Sequence, residues 1–155
     1  MKVIFLDIDG VLNYEGCPVM INGIYFVDDE RIKLLKSIID RTGARIVLSS
    51  TWRYGKFLKD DSPREYRLFK RLKKRLEEHE IFITSYTPVF DYEGRAYRGD
   101  EISAWLEGWK GNAVESFVIL DDNNDIEPYS DHLIQTSWQT GLTSEDVEKA
   151  VMALE

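Results

Sequence analysis

The first apolar run of the chain leads directly into two aspartates that are separated by one residue. Residues 3–6 read Val-Ile-Phe-Leu, and Asp7, Ile8, Asp9 and Gly10 follow. Because ligands of open parallel sheets bind beyond the carboxyl ends of the strands, acids at this place face a crevice. Gly10 permits a sharp turn that brings both acids to one side. Two such carboxylates suit a hard divalent cation such as Mg²⁺, which in turn keeps them ionised.

Two further apolar runs end in residues that suit a phosphate ester. The run at 45–48 is followed by Ser49 and Ser50, and the run at 116–120 is followed by the acid-rich stretch 121–125. If these strands neighbour the first, the crevice holds two acidic clusters, a hydroxyl donor and nearby backbone amides. That set of groups favours a phosphoryl ligand together with Mg²⁺.

A phosphoryl group also needs a fixed cation to balance the charge that develops on it. Arg98 is the best-placed candidate, because it lies just ahead of a helix that we expect Asp100 to cap. Arg95 and Lys110 are alternatives, since several long side chains near a loop can reach the same place.

The order of the apolar patterns predicts a parallel sheet flanked by helices. Continuous β-prone runs at 3–6, 45–48 and 116–120 are typical of strands buried on both faces, and weaker runs lie at 80–83 and 132–135. Helical spacing predicts one helix capped by Asp28 or Asp29 and stopped by Gly43, one from Pro63 to about Glu78, one from Asp100 to Trp109, and one from a Thr143–Asp146 capping box to Leu154. We therefore expect a doubly wound, Rossmann-like α/β fold with about five parallel strands.

Two stretches depart from this alternation. Residues 19–26 form two β-prone arms around Asn-Gly, a pair that favours a tight hairpin turn. We expect this hairpin to belong to a flap over about 13–27 and the region of about 52–97 to be a small helical insertion rather than a full cap. The chain, 1–155, is accordingly predicted to be a single domain.

Length, composition and net charge limit the classes of protein to which this chain can belong. With 155 residues, 43% of them hydrophobic, the chain can form one sizeable core, which excludes disorder as its main state. The net charge of −8 repels a phosphate backbone, so contact with nucleic acid requires a local basic patch. The single cysteine and the lack of an apolar segment of membrane length predict a cytoplasmic protein without a membrane partner.

The insertion contains such a basic patch. Seven basic side chains and one acid, Glu65, lie between residues 64 and 75. They either meet a nucleic-acid backbone or form a solvated helix face whose leucines pack inward. Trp52 and Arg53 either stack on a base and hold a second phosphate, or pack at the edge of the sheet. Further candidates for the rim of the site are Tyr14, Tyr25 and Tyr92.

The segment 7–12, Asp-Ile-Asp-Gly-Val-Leu, resembles motif one of the haloacid dehalogenase (HAD) superfamily of phosphohydrolases. Ser49 stands at the position of motif two and Arg98 at that of motif three. Asp121 and Asp122 stand at the position of motif four.

A narrower likeness covers nearly the whole chain, from residue 3 to about 143. Segments 5–13, 47–53 and 140–143 resemble the HAD domains of Swiss Army knife RNA-repair proteins. This likeness implies a phosphorylated RNA or DNA end as the substrate.

The superfamily resemblance implies a role for each motif residue. Asp7 would be the nucleophile that forms an aspartyl-phosphate. Asp9 would protonate the leaving oxygen and then activate water. Ser49 would hydrogen-bond a phosphate oxygen, and Arg98 would neutralise charge on the transferred group. Because Ser50 follows Ser49 directly, a shift of one residue in the strand end would exchange their roles.

The same resemblance implies a Mg²⁺ site. Asp7, Asp121 and the backbone carbonyl of Asp9 would ligate the ion. Either Asp122 or Asp125 would support its coordination shell.

The basic insertion and the resemblance to RNA-repair HAD domains together imply a Mg²⁺-dependent phosphatase that removes a terminal phosphate, expected to be a 3′-phosphate, from nucleic acid. A phosphatase for nucleotides or other small molecules is the nearest alternative. An alternative of another class is a non-catalytic phospho-receiver or a module that binds nucleic-acid ends. A receiver typically carries its phosphoacceptor after a middle strand, whereas Asp7 follows the first.

Overall fold

Strands and helices alternate along the chain. The computed structural model describes residues 1–92 and 95–155, and for residues 91, 92, 95 and 96 it describes the backbone alone. The elements are β1 (Lys2–Leu6), β2 (Met20–Ile21), β3 (Ile24–Tyr25), α1 (Asp29–Thr42), β4 (Arg45–Leu48), α2 (Pro63–Glu78), β5 (Ile83–Tyr86), β6 (Asp91–Tyr92), β7 (Arg95–Ala96), α3 (Arg98–Gly108), β8 (Ser116–Asp121), β9 (Leu133–Gln135) and α4 (Ser144–Leu154). Short 3₁₀ helices cover Thr51–Phe57 and Ser130–His132.

Five of these strands form one parallel sheet in the order β5-β4-β1-β8-β9. β1 is central because its residues are buried on both faces, as the continuous apolar run predicts. The predicted Rossmann-like α/β fold is confirmed, and the described residues form no cap domain. Among those same residues, none of the helices has both the length and the apolar character that crossing a bilayer requires.

The sheet separates two apolar clusters. Side chains at even positions of β1, such as Ile4 and Leu6, pack with α1, α2 and α4. Side chains at odd positions, such as Val3 and Phe5, pack with Ile102 and other residues of α3. This alternation follows from the period of two in a strand, and it decides which residues beyond the strand ends face α3.

Local signals explain most of the element ends. Asp28 precedes α1, and Gly43 ends it with a φ of 72°. In the hairpin of β2 and β3, Asn22 and Gly23 have φ values of 51° and 78°, as the Asn-Gly pair predicts. Thr143 forms the expected capping box at the start of α4.

Two predicted boundaries are wrong. β5 begins at Ile83 and not at Glu80, because Glu80 takes a φ of 61° and the amide of Ile81 still bonds the carbonyl of Leu76. α3 begins at Arg98 after an N-cap at Tyr97, so Asp100 lies in its first turn and does not cap it. Arg98 is therefore part of the helix and does not lie ahead of it.

A buried ion pair joins the segment after β4 to α3. Arg53 and Glu101 side chains are each 1% exposed, and Nη2 of Arg53 lies 2.8 Å from Oε2 of Glu101. The guanidinium also donates to the carbonyls of Ser50, Thr87 and Pro88 at 2.6, 3.0 and 3.0 Å. Burial lowers the pKa of Arg53, and the charge of Glu101 opposes this effect.

This environment corrects the prediction that Arg53 holds a substrate phosphate. Its donors are directed at protein acceptors, and its guanidinium is enclosed. The side chains of Arg95 and Tyr92, an alternative cation and a predicted rim residue, lie outside the described part of the structure. Lys110 follows the carboxyl end of α3, the end opposite Arg98, which removes it as an alternative to that residue.

We predict that Glu101→Ala lowers the free energy of unfolding by about 3–5 kcal/mol, because it leaves the Arg53 guanidinium buried without its counter-ion. Urea unfolding followed by circular dichroism measures the change. The control is Glu30→Ala, which removes an exposed partner of Lys33. Equal losses in the two variants would contradict the structural role given to the buried pair.

Candidate active site

Three adjacent strands bring their carboxyl ends to the same edge of the sheet. β1, β4 and β8 are in register at Leu6, Leu48 and Leu120. The next residues, Asp7, Ser49 and Asp121, therefore stand side by side at the carboxyl edge of the sheet. Backbone bonds continue the ladder there, since the amide of Asp7 donates to Leu120 at 3.0 Å and that of Ser49 to Leu6 at 2.8 Å.

These residues share one face of the sheet. Asp7, Ser49 and Asp121 each come two residues after a side chain of the α3 face: Phe5, Val47 and Ile119. They therefore continue the face that packs against α3. The first residue of α3 is Arg98, whose Nη1 donates to Oδ2 of Asp121 at 2.6 Å and lies 3.5 Å from Oδ1 of Asp7. The structure thus brings Arg98 together with the acids of β1 and β8.

The carboxylates form a compact cluster. Asp7, Asp121 and Asp122 each have an oxygen within 4.8 Å of the others, and the first two are buried. Asp122 lies against Gly10, whose φ of 79° and lack of a side chain let the two segments approach. Asp125 is exposed, and its amide donates to the side chain of Asn123 at 2.9 Å. The cluster found among the described residues therefore includes Asp122 and not Asp125.

Electrostatics in this cluster favour a cation. Burial raises the pKa of Asp7 well above its usual value, the charge of Asp121 raises it further, and Arg98 opposes both effects. Burial also raises the pKa of Asp122, again with a contribution from Asp121. Crowded carboxylate oxygens are the ligands that Mg²⁺ prefers, so the chemistry of the donor set fits this ion.

Asp9 lies outside this cluster, and two donors fix its carboxylate. Nε1 of Trp52 lies 3.1 and 3.2 Å from its two oxygens, and Nδ2 of Asn13 donates to Oδ1 at 2.9 Å. Asn13 in turn accepts from the amide of Gly10 at 2.9 Å. The contact of Trp52 with Asp9 spans 43 positions, so no local pattern predicts it. Asn13 follows Asp9 by four residues, a spacing that suits a bond across one turn.

The two serines after β4 have different surroundings. Ser49 is 1% exposed, and its Oγ has no hydrogen-bond partner among the described residues. Ser50 Oγ accepts from the amide of Trp52 at 3.2 Å and caps the following 3₁₀ helix. Because a buried hydroxyl normally has a partner, Ser49 is the serine that an oxygen-bearing ligand would satisfy. Ser50, the sequence alternative to Ser49 as the serine that contacts the substrate phosphate, serves as a cap.

Comparison with known proteins identifies one family. The family model described as the HAD domain in Swiss Army Knife RNA repair proteins matches residues 3–147 of the chain. The matched range contains every strand end that contributes to the site. A search of curated proteins gives no match.

We predict that Asp7→Asn raises the melting temperature at neutral pH when metal is removed with EDTA. An acid whose pKa is raised on folding contributes stability that is present below its unfolded pKa, about 3.9, and is lost as the pH rises through the folded pKa. Asn cannot ionise and avoids this loss, so the difference in melting temperature between Asp7→Asn and the parent should shrink toward about pH 4. Differential scanning fluorimetry measures the melting temperatures of the parent and the variant across this pH range. The control is Asp60→Asn, on an exposed turn. A parent protein at least as stable as Asp7→Asn at neutral pH would contradict the reasoning.

We predict that Gly10→Ala abolishes the rise in melting temperature that Mg²⁺ produces in the parent. A Cβ at this position would overlap the Asp122 carboxylate and displace it. The control is Gly16→Ala, because Gly16 has a similar φ of 81° but open space around a new Cβ. Both variants incur backbone strain of about 1–2 kcal/mol, and only Gly10→Ala should lose the Mg²⁺ response. The same response in both would disprove the proposed role of this contact.

Proposed function

The chain belongs to the family of HAD domains in Swiss Army Knife RNA repair proteins, and on this basis we propose that it is a Mg²⁺-dependent phosphatase that removes the 3′-phosphate from a nucleic-acid end. The observation that carries the proposal is the in-register convergence of Asp7, Ser49 and Asp121 beside Arg98. We further propose that residues 1–155 act as one catalytic domain, with the flap at about 13–27 and the insertion at about 52–97 as its walls.

In the first step, a carboxylate oxygen of Asp7 attacks the phosphorus. The bond from phosphorus to the 3′-oxygen breaks, and Asp9 gives a proton to that oxygen as it leaves. Trp52 and Asn13 hold the Asp9 carboxyl in one orientation for this transfer. The Ser49 hydroxyl, which has no partner among the described residues, donates to a phosphoryl oxygen, and Arg98 balances the developing charge.

In the second step, Asp9 accepts a proton from water, and the water oxygen attacks the phosphorus of the aspartyl-phosphate. The bond from phosphorus to Asp7 breaks, which releases inorganic phosphate and restores both acids to their starting states. Two acids are required because one forms the covalent bond while the other transfers the proton.

Asp7, Asp121 and Asp122 would hold Mg²⁺, with the backbone carbonyl of Asp9 as a further ligand. When bound, the ion supplies positive charge that keeps the acids ionised and polarises phosphoryl oxygens. Arg98 acts in the same direction, because its charge lowers the pKa of Asp7.

The basic face of α2 supports a nucleic-acid substrate. Five basic side chains of this helix are exposed and form no ion pair with the described residues: Arg64, Arg67, Lys70, Arg71 and Lys74. In contrast, Lys73 pairs with Glu77 at 3.2 Å and Arg75 pairs with Asp29 and Glu78. The exposed charges counter the repulsion that the net charge of −8 exerts on a polyanion.

The test is release of inorganic phosphate in MgCl₂ by the parent, Asp7→Asn and Asp9→Asn. The substrates are matched oligonucleotides with a 3′- or a 5′-phosphate, a nucleoside monophosphate and glycerol phosphate. We expect the parent to prefer the 3′-phosphorylated strand and Asp7→Asn to fall to the background rate. Equal rates for the parent and Asp7→Asn would overturn the nucleophile. A preference for the free nucleotide would favour the small-molecule alternative.

We predict that Lys70→Ala/Lys74→Ala weakens the dependence of kcat/KM for the oligonucleotide on salt. Each lost contact with a single strand lowers the logarithmic salt slope by about 0.7. The control is Lys33→Ala/Lys149→Ala, which removes one positive charge from α1 and one from α4. The side chains of Lys33 and Lys149 are 63% and 58% exposed. Identical salt slopes in the two double variants would exclude α2 as the contact surface.

A further inference from the structure

A cavity of about 270 Å³ adjoins the proposed acid Asp9. The flap contributes Ile24, the 3₁₀ helix contributes Trp52 and Tyr54, and α2 contributes Leu68. Asp9 itself lines the cavity, so the cavity adjoins one of the proposed catalytic groups directly. Its volume is slightly below the lower end of ordinary ligand sites, about 300 Å³, which suits a single ring system.

The place of the cavity defines what part of a substrate would enter it. In the proposed reaction Asp9 protonates the leaving oxygen, so the body of the leaving group lies on the Asp9 side of the phosphorus. The inference therefore rests on the proposed function. This cavity places apolar walls beside Asp9. The leaving alcohol of a 3′-phosphorylated strand is its terminal nucleoside.

The walls suit a flat ring. The bond from Nε1 to Asp9 holds the indole of Trp52, and its other contacts include the ring of Phe26, with centroids 6.1 Å apart. An indole held in this way presents a pre-oriented surface for stacking, while Leu68 and Ile24 supply apolar contact. Glu65 also lines the cavity and offers an acceptor for an amino group of a base.

A second cavity, of about 470 Å³, also lies between the flap and α2. Met20 and Ile21 of β2 line one side, and Arg71 and Lys74 of α2 line the other. Two acids, Asp29 and Glu78, also line this cavity, and both pair with Arg75, which leaves Arg71 and Lys74 as its cations without an ion pair among the described residues. Arg71 lies one turn of α2 beyond Leu68, so the basic groups follow the apolar cavity along the same helix. An apolar space followed by two cations matches a base followed by the phosphates of its strand.

We propose that the first cavity binds the terminal nucleobase of a 3′-phosphorylated strand, with Trp52 as the residue that selects a ring, and that the preceding phosphates lie along Arg71 and Lys74. The proposal commits to a polynucleotide because a phosphotyrosine peptide has no regularly spaced anions for the second cavity. The same arrangement makes Trp52 a positioning residue for Asp9, since one indole contacts both the ring site and the carboxylate.

Binding to Asp7→Asn tests this proposal without turnover. Isothermal titration calorimetry in MgCl₂ compares a nucleoside 3′-monophosphate, ribose 3-phosphate and phosphotyrosine. Both sugar ligands carry the same phosphate, so the ratio of their Kd values isolates the base. We expect the nucleotide to bind about tenfold more tightly than ribose 3-phosphate, as one stacked base provides.

Variants in the Asp7→Asn background then locate the site. Trp52→Ala should remove the preference for the base. Ile24→Ala changes a wall on the flap without touching Asp9, so it should reduce the preference even if Trp52→Ala does not fold. The control is Phe57→Ala, because Phe57 is a 68% exposed aromatic residue of the same 3₁₀ helix that does not line the cavity.

Equal Kd values for the nucleotide and ribose 3-phosphate would overturn the proposal, as would tighter binding of phosphotyrosine or a preference that survives both wall variants. The proposed function is tested separately by phosphate release from glycerol phosphate, which has no ring. If the parent hydrolyses glycerol phosphate but shows no preference for the base, the phosphatase proposal stands and the base site is excluded. If the preference for the base depends on Trp52 but the parent releases no phosphate from any ester, the base site stands and the phosphatase proposal is excluded.

Discussion

The repulsion between two buried carboxylates is the constraint on which the site depends. The parallel register of β1 and β8 sets Asp7 beside Asp121, away from water, and burial together with the neighbouring charge raises the pKa of Asp7. Such a pair costs free energy unless positive charge lies close to it. Arg98 supplies part of that charge from the first turn of α3, and Mg²⁺ is proposed to supply the rest. Binding and catalysis would thus use an arrangement that the fold alone does not favour.

The structure also explains why the surrounding elements are held firmly. Arg98 reaches the acids only if α3 keeps its position, and the buried pair of Arg53 with Glu101 ties that helix to the segment after β4. The same segment carries Trp52, whose indole fixes Asp9. One stretch of chain therefore positions both the cation and the proposed proton donor.

The strand ends could be predicted from the sequence because their signals are local. Continuous apolar runs ending in Asp7, Ser49 and Asp121 predict buried parallel strands, and parallel register then places these residues together. The start of α3 could not be predicted, since Asp100 looks like a cap but the chain turns at Tyr97 instead.

The partners of the long basic side chains could not be predicted from neighbouring residues in the sequence either. Arg53 directly follows Trp52 in the sequence, yet it pairs with Glu101, 48 positions away. Charge patterning of α2 was informative only in part, because Arg75 and Lys73 serve ion pairs within the fold. Long-range partners decide which charges remain available, and a single sequence does not contain them.

The most direct test of the account is to identify the phosphorylated residue during turnover. Protein mixed with a 3′-phosphorylated oligonucleotide and MgCl₂ is quenched in acid within the first turnovers and digested, and its peptides are mapped by mass spectrometry. The account predicts an acid-trapped phosphate on the peptide that contains Asp7, and its loss in Asp7→Asn. A phosphorylated residue elsewhere, or steady phosphate release with no phosphorylated Asp7 at any quench time, would contradict it.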